Sequence, residues 1–410
     1  MATISTYLRN ELKQIPFNLF EIISDYLDSD KSVKIAFVGG YIRDLLIKKI
    51  HQNSSCCPID LDIVIEGSAL ELAKYIKNNL SGIDLCLIKE FEVYKTVEIN
   101  INNLKIDIAT ARKETYLSPG LNPSVEDSTI TEDLKRRDFS INSLAYEMRT
   151  EKLYDLFNGT NHIKQKELHL LHKKSISDDP SRILRCAKYA SRFDFKISDL
   201  SLSQAQKTIG QWPWKSSKKN IFPPGIGIRM RMELAEIIRH DDISKIITQL
   251  YQWDVISIIN KDIKLTNKFS RGLTWIKRLD GSIILYLLKD SDSLDLLCER
   301  FLLNKKEKKI LDEYKYIKNL VNSNKKDFRN LSPSNWTDFI ESHNLQEETV
   351  KLIICDGIHF WRAFFKWLFL YRFIKSNKNG DQLKKEGWIQ GKDIGKEIKR
   401  LRYLKIDKLR

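Results

Sequence analysis

Asp60 and Asp62 are two residues apart in the run Ile59-Asp60-Leu61-Asp62-Ile63-Val64, which has the pattern of a strand. The strand period puts both carboxylates on one face and Leu61 and Ile63 on the other. Two carboxylates forced together repel, and a divalent cation is the usual remedy. Asp107 stands in a further apolar strand, residues 104–109, a charge where that pattern expects a hydrophobe. Three strand-borne aspartates can hold two Mg²⁺ ions, one activating an attacking hydroxyl and one clamping a triphosphate. A solvent-facing Asp-x-Asp strand is the ordinary alternative.

Gly39-Gly40 sits between a strand-like and a helix-like run, about twenty residues before that pair. Paired glycines let backbone N–H groups approach a phosphate, and the following helix points its positive end there. Arg43, one turn on, adds a charge-assisted contact, with Asp44 placed to orient it. The alternative is a plain strand–helix turn. Neither Gly-x-Gly-x-x-Gly nor a Walker lysine is present, so Rossmann and P-loop assignments fail.

Two further clusters carry chemistry. Arg136-Arg137-Asp138-Phe139-Ser140-Ile141-Asn142 is expected at a loop-to-helix junction, where it would bind triphosphate and ribose or be a solvated helix start. Asp178-Asp179-Pro180-Ser181-Arg182 opens another helix, and Asp179 and Arg182 share a face at three-residue spacing. Cytosine and adenine each present an amino donor beside a ring-nitrogen acceptor; uracil and guanine present a carbonyl where the amino group would be. An Asp–Arg pair therefore accepts C and A and rejects U and G. A helix cap with a local ion pair is the structural alternative.

The elements that must position these groups change character along the chain. Residues 7–28 have helical spacing, with Pro16 as the weak point; 34–40 read as a strand ending in a glycine turn, with a helix behind it. Helix is expected over 68–79 and strands over 84–88, 96–101 and 104–110. Residues 112–135 are polar and turn-rich, a loop by pattern, and from Asp138 the helical period dominates.

Charge changes at the same place. The chain of 410 residues has 42% hydrophobic and 30% charged side chains, a globular composition that excludes collagen-like or wholly disordered classes. Its formal charge of +15 splits unevenly: residues 1–150 sum to −4 and the remainder to +19. A polyanionic partner would be gripped by the C-terminal two-thirds. The six cysteines (56, 57, 86, 186, 298, 355) form no Cys-x-x-Cys pair, which points to a reducing, cytoplasmic setting. The start of the chain lacks the apolar run of a signal peptide. The most apolar stretch, 360–374, is broken by Arg362, Lys366 and Arg372, so it reads as a buried or partner-facing helix and not a membrane span.

Taken in order, VGGYIRDLL, IDLDIVIEG, IDIATARKETY, LKRRDFSINSLAYE, LYDLFNGTNHI and SISDDPSRILRCAKYASRFDF resemble the class II tRNA nucleotidyltransferase / bacterial poly(A) polymerase family. The likeness is dense over 36–197 and thinner through 222–238 and 387–402. It implies an α+β architecture: a small mixed α/β, polymerase-beta-like nucleotidyltransferase head over 1–150, then an all-α neck (151–240), body (241–330) and tail (331–410). It implies Mg²⁺ at Asp60 and Asp62, with Asp107 as a third catalytic carboxylate. Gly39, Gly40 and Arg43 would contact the triphosphate; Arg137, Asp138 and Asn142 the ribose and phosphates; Asp179 and Arg182, supported by Arg185, the base edge. Residues 112–134 would contain a flexible loop that helps the site move from C to A. The implied activity is addition of C and/or A from CTP and ATP to the 3′ end of tRNA, gripped by its acceptor and TΨC arms, with no membrane or DNA partner. A CC-only or A-only enzyme, and a poly(A) polymerase, share the motifs.

The chain departs from the family pattern in places. Ser68 follows Glu66-Gly67 where an acidic residue is usual, which reads as a helix-cap change. Asp178-Asp179 replaces Glu-Asp and keeps the charge. A longer segment with His51, Cys56 and Cys57 precedes Asp60 and has no assigned role. His240-Asp241 lacks the companions of a phosphohydrolase site and reads as a helix end; His169 and His172 read as structural.

Overall fold

The computed structural model describes residues 3–52, 60–80, 86–102, 104–211, 224–389 and 391–409. Cys56 and Cys57, which carried no assigned role, lie outside them. The chain divides into two compact units, Met1–Glu233 and Leu234–Arg410.

The first unit is built on a seven-stranded sheet of order β3-β4-β5-β2-β1-β8-β9. Two helices precede it, α1 (Ile4–Leu12) and α2 (Leu19–Ser29). The single helix expected over 7–28 is thus broken at Pro16, where Phe17 (φ 68°) and Asn18 (φ 51°) turn left-handed. Proline cannot donate the hydrogen bond that would continue the ladder. The apolar stripe still does its work: Leu8, Leu12, Leu19, Ile22, Ile23 and Leu27 are all buried.

β1 (Lys34–Val38) leads directly into α3 (Gly39–His51), and β2 (Asp60–Glu66) runs antiparallel to β1, with Phe37 opposite Ile63. That register carries the end of β1 to the level of Asp62. α4 (Ala69–Asn79) follows, capped by Ser68, whose hydroxyl accepts from Glu71 N at 3.2 Å, as the cap interpretation required. β3 (Cys86–Phe91), β4 (Thr96–Ile101) and β5 (Leu104–Thr110) then complete one side of the sheet. β5 lies parallel to β2 with Asp107 beside Asp62. Ile35, Phe37, Leu61, Ile63, Ile99, Ile106 and Ile108 are at most 1% exposed, each contributing about 1.5–3 kcal/mol by burial.

Three expectations are corrected in the next segment. Residues 112–135 are not a plain loop: β6 (Arg112–Thr115) and β7 (Ser124–Asp127) pair as an antiparallel ribbon, and α5 (Ile130–Lys135) follows, capped by Thr129. Strands do not end at Asp138, because β8 (Leu144–Glu147) and β9 (Lys152–Asp155) join the sheet beside β1. β8 is buried at all four positions, so it shows no alternation to read. Asp107 does not replace a hydrophobe either; the buried residues of β5 alternate at Ile106, Ile108 and Thr110, and Asp107 belongs to the other face.

α6 (Gly159–Gln165), a two-residue parallel pair β10 (Glu167–Leu168) and β11 (Lys196–Ile197), and helices α7 (Ser175–Asp178), α8 (Ser181–Phe193) and α9 (Asp199–Ile209) come next. α10 (Pro224–His240) contains the division between the units and ends at His240, the expected helix end.

The described part of the second unit is helical: α11 (Ile243–Gln252), α12 (Asn267–Arg278), α13 (Ile283–Leu288), α14 (Leu294–Arg300), α15 (Lys305–Ser323), α16 (Lys325–Arg329), α17 (Pro333–Ser342), α18 (Glu347–Asp356), α19 (Trp361–Phe369), α20 (Gly380–Lys385) and α21 (Lys392–Asp407). Within α19, Phe364, Trp367 and Leu368 are buried while Arg362 and Lys366 face outward, so the apolar stretch is one-sided. No helix among the described residues is long and apolar enough to cross a membrane.

Candidate active site

α3 begins at Gly39 with φ +64°, directly against β2. A Cβ at Gly39 would lie 2.8 Å from Arg137 Nη1 and 3.0 Å from Asp62 Oδ2, so only glycine fits between them without displacement. Gly40 N–H donates to Asp62 Oδ2 at 3.3 Å. Burial pushes the Asp62 carboxyl up to about 6, against the pull of the Arg137 guanidinium; the Asp107 charge adds to the rise. Asp60, on the same strand face, is exposed. Asp107 accepts from Lys105 Nζ at 3.1 Å, and burial raises its carboxyl more than that lysine lowers it.

Among the described residues no three or more His, Cys, Asp or Glu side chains gather to hold a metal ion by themselves. Asp60 and Asp62 fit a divalent cation of the kind bound through one or two carboxylates plus substrate phosphates. The raised Asp62 carboxyl supports this, since an incoming positive charge would restore its ionised form.

Arg137 and Arg136 are held by one buried carboxylate. Asp133 Oδ2 accepts from Arg137 Nη2 at 3.0 Å and Asp133 Oδ1 from Arg136 Nε at 2.8 Å. Burial alone would raise Asp133; the two arginines overcome it and hold the carboxyl below the usual range. Arg136 Nη1 also donates to Glu114 Oε1 at 2.9 Å, and Tyr116 donates to Glu114 Oε2 at 2.9 Å. The β6–β7 ribbon is thereby tied to α5.

The Asp138–Asn142 segment is not a solvated helix start. It connects α5 to β8, and Asp138, Ser140 and Asn142 are all buried. Asn142 Oδ1 accepts from Arg43 Nη1 at 2.7 Å, and its Nδ2 donates to Asp138 Oδ1 at 2.8 Å. Arg185 Nη1 donates to Asp138 Oδ2 at 2.8 Å, and Arg185 Nε to Glu233 at 2.8 Å. Asp138 is held below its usual range despite burial, chiefly by Arg185. Arg43 donates to Asp44 at 2.7 Å, as expected, and its guanidinium lies 4.8 Å from the ring centres of both Tyr189 and Phe193. Such a satisfied network holds its members in one geometry.

Asp179 and Arg182 sit at the start of α8, as the spacing predicts, but the local ion pair offered as the alternative is replaced by other partners. Arg182 Nη1 donates to Ser175 Oγ at 2.9 Å and Nη2 to the Arg136 carbonyl at 3.0 Å. Asp179 Oδ1 accepts from Ser181 Oγ at 2.7 Å and from Arg229 Nε at 3.2 Å.

These groups surround one cleft of ≈610 Å³, lined by Gly39, Gly40, Arg43, Asp62, Arg137, Asp138, Asn142, Asp179, Arg182 and Arg185. Asp60 and Asp107 are the two predicted residues outside its lining. Arg136, part of the expected Arg136–Asn142 cluster, also lines it, and Arg112, Glu114, Tyr116, Tyr189 and Arg229 do so without having been singled out as site residues. Seven arginines against four carboxylates make the cleft an anion site. Asp133 and Glu114 were missed because single acids in a polar segment carry no periodic signal; the adjacent Arg136-Arg137 was the one hint that a buried counter-charge was needed. His169 pairs with Glu167 at 2.7 Å and stacks on His162 at 3.7 Å, and His172 is 3.9 Å from Asp178, in keeping with structural roles. His51 Nε2 lies 2.8 Å from the Ile163 carbonyl oxygen.

A family profile described as the poly(A) polymerase head domain matches residues 35–169. An A-adding tRNA nucleotidyltransferase of Aquifex aeolicus is 34% identical over 53% of this chain and 26% of its own length. A CC-adding tRNA nucleotidyltransferase of Deinococcus radiodurans is 33% identical over 43% of this chain and 45% of its own. The chain thus spans about a quarter to a half of these curated relatives. The Thermotoga maritima CCA-adding enzyme, solved with a tRNA, superposes with a TM-score of 0.68 at 25% identity, covering 95% of this chain and 91% of that one. The head-domain profile thus covers Gly39, Gly40, Arg43, Asp62, Arg137, Asp138 and Asn142 of the cleft, and the likeness in structure to a CCA-adding enzyme extends over 95% of the chain.

Proposed function

We propose that this protein is a template-independent nucleotidyltransferase that adds C and/or A, from CTP and ATP, to the 3′ end of tRNA, building or repairing CCA and releasing pyrophosphate. The observation that carries this is the arginine-rich cleft whose lining brings together Asp62, the Gly39-Gly40 helix start and the Asp179/Arg182 wall.

In this reading Asp60 and Asp62 hold Mg²⁺, with Asp107 as a further oxygen donor; the ion supplies Lewis acidity at the attacking hydroxyl and neutralises triphosphate charge. The N-terminal turn of α3 and Arg43 position the phosphates. Arg137, Asp138 and Asn142 hold the ribose and phosphate side, and Arg185 fixes Asp138. Asp179 and Arg182 read the base edge, selecting the amino group that C and A share. The tRNA 3′-hydroxyl attacks the α-phosphate, and arginine charge stabilises the departing pyrophosphate. Residues 1–150 act as the catalytic head, 151–240 as the neck with the base-selecting motif, 241–330 as the body and 331–410 as the tail. The last two grip the acceptor and TΨC arms through the basic excess after residue 150. The cytoplasm suits the buried thiols Cys186, Cys298 and Cys355.

An A-only enzyme is the second reading, favoured by the likeness to an A-adding relative. The test uses tRNA transcripts ending at the discriminator base, at C and at CC, each with Mg²⁺ and CTP, ATP or both. Addition that stops at CCA supports the full activity, and one A added only after CC supports the second reading. A long A ladder would make the chain a poly(A) polymerase, and absence of product overturns the transferase reading.

A further inference from the structure

The apolar stretch 360–374 presents aromatic rings that its own unit leaves uncovered. α19 buries Phe364, Trp367 and Leu368, while Trp361, Phe365 and Phe369 recur every four residues along another side. Trp361 and Phe365 are half-buried and Phe369 is 52% exposed. Their ring centres follow one another at 6.3 and 4.8 Å, so the three form a row. Phe373, in the turn beyond, is 63% exposed, with the Arg372 guanidinium 4.7 Å from its ring centre.

α12 supplies the adjoining wall. It buries Phe269, Gly272, Leu273 and Ile276, and its exposed side carries Lys268, Arg271, Trp275 and Arg278. Gly272 allows the close approach, since a Cβ there would strike the Tyr286 hydroxyl and the Cys355 carbonyl of α18. Gly357 (φ +57°) then ends α18 and turns the chain into α19. Lys268, Arg271 and Trp275 thereby meet Trp361 and Phe365 around a cleft of ≈300 Å³. Arg278 lies 5.6 Å from the Trp275 ring centre and Arg362 5.1 Å from that of Trp361. The charge is one-sided: α12 has four basic residues and 357–380 has five, and neither segment has an acidic one. Lys268, Arg372 and Lys378 have acidic partners elsewhere; the other six have no ion pair among the described residues.

We propose that this face of α12 and α19 is a binding platform for a single strand of RNA, separate from the grip on the tRNA arms. Unpaired bases stack on the row of rings and the cleft beside it, and the phosphates meet the interleaved arginines and lysines. Duplex stems keep their bases paired and stacked, so a row of aromatic faces adds nothing to a grip on them. A second copy of the chain would set the same cations against each other across a two-fold axis. An anionic membrane would need the buried face of α19, which is already spent on the unit's own core.

The test uses the full chain and labelled oligoribonucleotides of about twelve residues, poly-A, poly-C and poly-U, each blocked by a 3′-phosphate. The comparison ligands are an RNA hairpin with the same number of phosphates and a folded tRNA. All three oligomers are expected to bind and to quench tryptophan fluorescence. Trp275→Ala and Phe369→Ala, both at exposed positions, are each expected to weaken that binding about tenfold. The hairpin should lose less than about twofold, which separates stacking from charge. Arg271→Gln and Arg362→Gln should each lower the slope of log K against log salt by about 0.7. Oligomers that do not bind, or ring substitutions without effect, overturn the proposal. Equal losses for hairpin and single strand reduce the face to a charge patch and overturn it too. A folded tRNA that loses as much as the oligomers would assign the face to the tRNA arms, against a separate strand site. Sedimentation showing a dimer dissociated by Phe369→Ala, or phosphatidylserine vesicles bound in place of the oligomers, would give the face another occupant and overturn the assignment. Each readout is an affinity, so the outcome stands apart from whether nucleotides are transferred.

Discussion

Arg43 and Asn142, 99 positions apart in the chain, are joined by a 2.7 Å hydrogen bond from Nη1 to Oδ1. The other end of the same amide donates to Asp138, so one asparagine separates a buried cation from a buried anion and satisfies both. Asn142→Ala leaves each short of a partner, at a cost of about 1–3 kcal/mol. It is expected to lower the first thermal transition and to raise KM for the nucleotide more than it lowers kcat. Calorimetry and steady-state kinetics would check both; an unchanged KM would place the amide outside the nucleotide's reach.

Asp60→Ala and Asp62→Ala are expected to reduce nucleotide incorporation by about a thousandfold or more while tRNA binding survives. Gel-shift titration beside the incorporation assay separates the two effects, and turnover retained by either variant would remove that residue from the chemistry. Asp62→Asn should also raise the first Tm at pH 8 by about 2–4 °C. The sign follows from burial: a carboxyl raised to about 6 binds its proton more tightly in the folded state, so its ionisation above that pH destabilises the fold.

Gly39→Ala places a methyl group at a left-handed position, beside Arg137 and Asp62. The backbone penalty is about 1–2 kcal/mol. The expected outcome is a folded protein in which kcat/KM for the nucleotide falls at least about tenfold and far-ultraviolet circular dichroism is unchanged. Wild-type kinetics would show that the close approach at α3 is not used.

Asp133 governs an acid limb of stability. Arg137 and Arg136 hold its folded carboxyl below the unfolded value of 3.8, so its contribution is fully present above that pH and is lost as pH falls through 3.8 toward the lower folded value. Asp133→Asn should therefore lower the first Tm at pH 7, with the gap to wild type closing below about pH 4. A constant gap from pH 7 to 3 would mean that the arginines are held by something else.

Arg182→Ala is expected to relax the choice of base, because its fork is fixed by Ser175 and the Arg136 carbonyl at the wall of the cleft. The measurement is misincorporation of G and U on tRNA ending at CC. Unchanged selectivity would reduce Arg182 to a strut between α7, α8 and the end of α5.

Much of this was legible in the residues before any fold was known, where the information is local. The Asp60/Asp62 face follows from the period of a strand, the Ser68 cap from a hydroxyl residue at the head of a helical run, and the start of α8 from the run Asp178–Arg182. Other features had no local signature. β8 and β9 are four residues each, and β8 is buried throughout, so they lack the alternation by which a strand is recognised. The break at Pro16 was visible as a weak point, but whether the helix kinks or stops depends on how its two halves pack. Charge partners were the least readable: Asp179 takes Arg229, 50 residues away, over Arg182, three residues away. Parallel register sets Asp107 beside Asp62, 45 positions away in the chain. Local spacing determined which side chains share a face, because helix and strand repeat within a few residues. Which faces then meet, and which of several equivalent arginines satisfies a given carboxylate, was decided by the tertiary structure alone, since those choices are made by burial and close packing between segments with no common period.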